Sequence, residues 1–160
     1  MLTFGCGGSR AFDGHRFRGP ETSYELGSLG AEWRRLDVSG AEADVAFHHP
    51  ALGATVHTFS SCDPQYDIPL RALTGHLLIG TTDREVLAEE RRPLDGRASL
   101  WTHVRVQLDG VPREMLLVVL KKNGCLYDLV LSAPPGERFA RARADFERLV
   151  AGFATTGPTP

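Results

Sequence analysis

The side chains able to do chemistry fall into three groups. Cys6, Cys62 and Cys125 supply thiols, His48-His49 and His57 form the densest run of imidazoles, and Tyr127-Asp128 places a carboxyl in an otherwise apolar stretch. On a hairpin, His48 and His57 become cross-strand neighbours on an outer face, which is the beginning of a metal site. Zinc requires three or four ligands with defined supports, and neither a carboxylate nor a cysteine completes this set. Solvent-facing strand histidines are the simpler reading, with an enzyme site near His48, His57 and Asp63 as its rival. His103 alternates with Arg105 on the less apolar side of its run and reads as a surface or edge residue. A buried Asp128 would be a perturbed acid; its more ordinary role is to accept a bond from Tyr, Arg or a backbone amide. No nucleophile elbow, phosphate-binding glycine loop, His-Glu-x-x-His or dinucleotide fingerprint is present, so no catalytic, cofactor-binding or metal residue is assigned.

Cys6 stands in Leu2-Thr3-Phe4-Gly5-Cys6-Gly7-Gly8-Ser9. A small residue before a near-terminal cysteine, followed by a Gly/Ser stretch, resembles the end of a bacterial lipoprotein signal. Two departures stand beside that likeness. Thr3 occupies the position where such signals usually carry Leu, and residues 1–5 are too short for a basic segment and an apolar run of about 7–15 residues. The lipoprotein reading therefore expects a start codon annotated too late, lipid on Cys6 and an envelope protein facing the periplasm. Gly7, in place of the Asp associated with inner-membrane retention, favours the outer membrane. The alternative is a cytoplasmic adaptor in which Cys6 is a flexible-tail thiol.

If Cys6 carries lipid, Cys62 and Cys125 remain as a pair. Both stand at the ends of apolar runs, where a cross-link is easy if the ends are neighbours. Cys62 has Asp63 beside it and no adjacent Lys or Arg to favour a thiolate. A structural disulfide is the expectation, stabilising by roughly 4 kcal/mol on the chain-entropy account in an oxidising compartment.

These groups must be positioned by one domain. The 160 residues suffice for a single core, and an apolar fraction of 42% with 24% charged residues is that of an ordinary globular chain. A net charge of −2 supplies no field to draw nucleic acid, so no nucleic-acid partner is expected. No stretch reaches the ~18 consecutive apolar residues of a membrane span. Residues 1–20 read as signal remnant and tether, 21–153 as the domain and 154–160 as a disordered tail, although Phe12 and Phe17 have the bulk to dock on the domain.

Within the domain, residues 21–26 read as a strand, and Trp33, Leu36 and Val38 as cover for a sheet edge. Residues 43–48 and 54–60 read as a hairpin closed by Gly53. Leu70, Leu73, Leu77 and Leu78 recur at helical spacing, with Asp67 as cap and Pro69 in the first turn. Four strand-like runs follow at 85–92, 98–108, 113–121 and 125–133. They are separated by Asp95-Gly96, Asp109-Gly110 and Asn123-Gly124, the dipeptides of tight hairpin turns, and so predict a four-stranded antiparallel meander. The unbroken apolar run 115–120 marks a central strand covered on both faces. Phe139, Ala142, Phe146, Leu149, Val150 and Phe153 form one helical stripe, with Arg138, Arg141, Asp145 and Arg148 facing water. The predicted class is α+β: an antiparallel sheet with a C-terminal meander, flanked by helices as an α/β/α sandwich.

The second half also resembles the PsbP-like family, which includes the Ran-binding Mog relatives and many bacterial lipoproteins. The likeness rests on Gly124-Cys125-Leu126-Tyr127-Asp128-Leu129-Val130, then Phe139, Asp145-Phe146 and Gly152-Phe153, and spans residues 97–153. The first half matches only in the order of its elements. The resemblance implies a non-catalytic, partner-binding domain, here expected to meet an unknown envelope protein. It assigns no binding residue, because the family's partners differ from member to member.

Overall fold

A computed structural model describes residues 9–38 and 42–156, so Cys6 lies outside the described residues. Its centre is a seven-stranded antiparallel sheet. In spatial order the strands are β4 (Arg34–Leu36), β5 (Val45–His49), β6 (Ala54–Ser61), β10 (Cys125–Ala133), β9 (Val111–Lys122), β8 (Arg97–Leu108) and β7 (Thr81–Leu94). The expected meander is the half from β7 to β10. Each of its turns has two consecutive residues at positive φ, for example Asp95 at +49° and Gly96 at +78°, and Asn123 at +51° and Gly124 at +79°. Two such residues make a turn whose twist matches the strands it joins, which is why Asp-Gly and Asn-Gly stand there.

Side-chain alternation assigns the two faces. Leu116, Val118 and Leu120 point to one and Met115, Leu117 and Val119 to the other, and all six are buried. Helix α2 (Glu137–Ala151) lies on the first face, with Phe139, Ala142, Phe146, Leu149 and Val150 turned inward. Helix α1 (Leu70–Leu77) lies on the second, with Leu70 and Leu73 against Leu100, Val119 and Leu126. The sheet between two helical layers is thus present as expected.

Several local expectations are corrected. Pro69, not Asp67, caps α1, and Asp63 caps a preceding 3-10 turn at Pro64–Tyr66. Asp145 is half-buried and not simply a water-facing acid: it accepts a hydrogen bond from the Trp33 indole at 2.9 Å, holding the loop before β4 to α2. Leu36 and Val38 stay exposed, and only Trp33 of that trio is buried. The edge strand β7 runs past the expected 85–92 at both ends, because backbone pairing to β8 continues through two irregularities between Thr82 and Ala88 and on to Leu94.

Part of the expected tether is sheet. β1 (Ala11–Phe12), β2 (Arg16–Arg18), β3 (Ser23–Glu25) and β11 (Ala154–Thr155) form a second antiparallel sheet, which also takes the first two residues of the expected tail. Phe17 is 1% exposed and packs against Tyr24 with ring centroids 5.1 Å apart. β3 lies within the strand read at 21–26, whereas β1, β2 and β11, of two or three residues each, carry no legible period, so the core contact and not the pattern fixes them. Gly27 follows β3 where a Cβ would stand 2.1 Å from the Arg148 carbonyl oxygen. Its amide donates to the Leu149 carbonyl at 2.9 Å, so only glycine allows this approach to α2.

Candidate functional site

The helices cover their faces unequally. α2 has fifteen residues, whereas α1 has eight and spans about 12 Å. α1 packs over β8 and β9, so the adjoining surface of β10 and β6 is only partly roofed. A cleft of about 330 Å³ opens there, with Phe59, Tyr66, Leu73, Leu77 and Leu126 among its apolar walls. His57 and Asp128 also line it, and Glu42 and His76 contribute from the loop before β5 and from α1.

Asp128 reaches this cleft by strand alternation. Along β10, Tyr127, Leu129 and Leu131 join the α2-side core, while Leu126 and Val130 belong to the clusters on the other side. Asp128 lies between those two, opposite Phe59 of β6 and Val119 of β9. It is 5% exposed, and its buried Oδ1 has no hydrogen-bond partner. Burial, and secondly the charge of Asp44, push its carboxyl up to about 8. At neutral pH the group is therefore mainly an uncharged acid. Burial likewise lowers the pKa of His57 and disfavours its imidazolium.

The other buried acids are satisfied. Asp44 accepts from the Tyr24 hydroxyl at 2.8 Å and the Ser60 hydroxyl at 2.6 Å on Oδ2, and from Arg10 at 3.1 Å on Oδ1. Burial still raises its pKa, against the opposing effect of those bonds. Glu114 takes the Gly136 amide at 3.0 Å and His103 Nε2 at 2.5 Å, with Arg105 at 3.6 Å. Burial alone would raise its pKa, but the Gly136 amide and His103 outweigh that and leave it below the ordinary range. His103 is consequently no loose edge residue: its ring stacks on Phe139 at 4.9 Å and 6°, tying β8 to the start of α2.

The histidine run is divided by the pleat. His57 stands opposite Ala46 and His48 opposite Thr55, so the two are diagonal on one face and not directly paired. His49 points the other way, edge-on to Trp33, with Nε2 3.1 Å from Glu32 and Nδ1 accepting from the Leu52 amide. Asp63 accepts from the Gln65 amide at 2.9 Å, in the turn beyond the end of β6. Among the described residues, no group of three or more His, Cys, Asp or Glu side chains is placed to hold a metal ion.

Cys62 and Cys125 are joined by a disulfide with Cα atoms 4.1 Å apart, immediately beyond the Ser61–Leu126 pairing of β6 and β10. Sequence reasoning named Asp128 but not the cleft, whose walls come from β6, the 3-10 turn, α1 and β10. The available signal was one ionisable residue in the apolar run 125–131.

No protein-family model matches the chain, and none of the curated proteins matches it. Solved structures do. The chain is similar to LpqN, a protein involved in cell envelope biogenesis of Mycobacterium tuberculosis, at 14% identity and a TM-score of 0.59, covering 93% of this chain and 90% of that one. It is also similar to the cyanobacterial PsbP protein CyanoP of Synechocystis sp. PCC 6803, at 17% identity and a TM-score of 0.54, covering 97% and 96%. At such identities the likeness establishes the fold, and the fold is PsbP-like.

Proposed function

We propose that the chain is a lipid-anchored cell-envelope protein, acylated on Cys6 and facing the periplasm, whose PsbP-like domain has a non-catalytic binding role. The observation that carries the binding role is Asp128, a buried carboxyl without an internal partner on the wall of an apolar cleft. Buried polar groups are nearly always paired within the protein, and an unpaired one in the wall of a cleft suits a group arriving from outside. The envelope location is supported by the Cys62–Cys125 bond, which belongs to an oxidising compartment, and by the envelope role named for LpqN. No helix among the described residues is long and apolar enough to cross a membrane. The lipoprotein-like context of Cys6 supplies the anchor, and Gly7 favours the outer membrane.

Intact mass of the native protein from its host tests the anchor. The expected species begins at Cys6, carries three acyl chains and lacks two protons at the disulfide. A Met1 terminus with three free thiols would overturn it. The binding role is tested with a photo-crosslinking residue at Tyr66, on the cleft wall, and another at Arg141 on the exposed side of α2. Capture of one envelope component from Tyr66 alone is expected; equal capture from both positions removes the cleft from the reading.

A further inference from the structure

Asp44, Glu114 and Asp128 are the acidic residues buried in the described part of the chain. Two of them carry a cation of the protein's own: Arg10 meets Asp44, and Arg105 meets Glu114. Asp95, partly buried, follows the same rule with Lys122 at 2.9 Å. Asp128 departs from it. Its Oδ1 is unpartnered, and the residues lining its cleft include no Lys or Arg. They do include a second carboxylate, Glu42, and the rings of Phe59 and Tyr66, set edge-to-face with centroids 6.1 Å apart. Aromatic faces attract cations, and apolar walls exclude the water that would compete for the charge.

We infer that this cleft binds an organic ammonium with an apolar body, its nitrogen donating to Asp128 and its body lying against Phe59, Tyr66, Leu73 and Leu77. The inference rests on the binding role proposed above and names the ligand class. The ligand supplies what Arg10 and Arg105 supply to the other buried acids. Protons balance simply: Asp128 gives up its proton to solvent as the ammonium arrives, so the complex holds a carboxylate–ammonium pair. Ionising the acid at pH 7 costs about tenfold in affinity, and a charge-assisted bond returns about tenfold to a hundredfold.

The groups facing Asp128 are His57 from β6, His76 from α1, Glu42 from the loop before β5 and Tyr66 from the 3-10 turn, with Asp44 acting through its charge. Measurements above pH 7 keep His57, whose pKa burial lowers, largely uncharged. Three probes share a phenylalkyl body: phenethylamine, 2-phenylethanol and 3-phenylpropanoate. By titration calorimetry the amine should bind at least tenfold more tightly than the alcohol at pH 8. Its affinity should rise about tenfold from pH 7 to 9, with close to one proton released at pH 7. Asp128→Asn, a neutral near-isostere, should retain the fold and lose the preference, the pH dependence and the proton release. An alcohol that matches the amine, tighter binding of the carboxylate, or binding of none of the three would overturn the inference. If no probe binds while Tyr66 still captures an envelope component, the ligand class fails alone; if that capture also fails, the binding role fails with it.

Discussion

The two faces of the central sheet are built to different standards. On the α2 side, a fifteen-residue helix seals the sheet with Phe139 and Phe146, and Glu114 is held by His103 and the first turn of that helix. On the α1 side, an eight-residue helix leaves a cleft, and both Thr102 Oγ1 and Asp128 Oδ1 are buried without partners. Both sides contain buried polar groups, but only one completes them internally. The closed face serves stability, and the open face keeps an unmet polar group, the Asp128 carboxyl, in the wall of a cleft.

The contrast is broken most forcefully from the closed face. Phe146 is 0% exposed beneath α2, so Phe146→Ala should cost about 3–5 kcal/mol in denaturant unfolding. A loss under about 1 kcal/mol would mean that the stripe is not the main seal. Next in size is Glu114→Gln, expected to cost about 1.5–3 kcal/mol at pH 7, since charge-assisted bonds to His103 and the Gly136 amide are weakened. Glu114 has a depressed folded-state pKa, so its contribution is complete above the ordinary carboxylate range and disappears as pH falls through the folded value. Wild type and variant should therefore converge in acid; a constant difference would assign the effect to packing.

The smallest effect belongs to the open face and has the opposite sign. Asp128→Leu should be neutral or stabilising by about 1 kcal/mol at pH 4, because it replaces an unpartnered polar group by an apolar one of similar size. The folded-state pKa of Asp128 is raised to about 8, so the folded protein retains a proton that the unfolded chain loses above the ordinary carboxylate range. Wild-type stability consequently falls as pH rises towards about 8, and the variant's advantage should widen over the same interval. A variant that is less stable at every pH would show that Asp128 has an internal partner after all.

Much of the closed architecture was legible because it is local. Asp95-Gly96, Asp109-Gly110 and Asn123-Gly124 select their turn by the φ values they tolerate, and those turns set the register of the meander. The stripe from Phe139 to Val150 follows from helical period alone. Of the second sheet only β3 was legible, within the strand read at 21–26; its partners β1, β2 and β11 were missed because Phe17 identifies itself only by meeting Tyr24. Asp145 looked like a surface acid until Trp33, 112 residues earlier in the chain, was placed against it. The same limit applies to the cleft: Asp128 was visible as a carboxyl among apolar neighbours, but the missing partner was not.

The sequence by itself thus determined the α+β class, the meander and the inward stripe of α2, since each depends on neighbours within a few residues. The tertiary structure alone decided that α1 stops short of covering β6 and β10, that the histidine run is divided between opposite faces, and that Asp128 meets no donor of its own. A buried group's electrostatics depend on every element packed around it. At Asp128 those elements are β6, β9, β10 and the helix-bearing segment before β7, brought together only by folding.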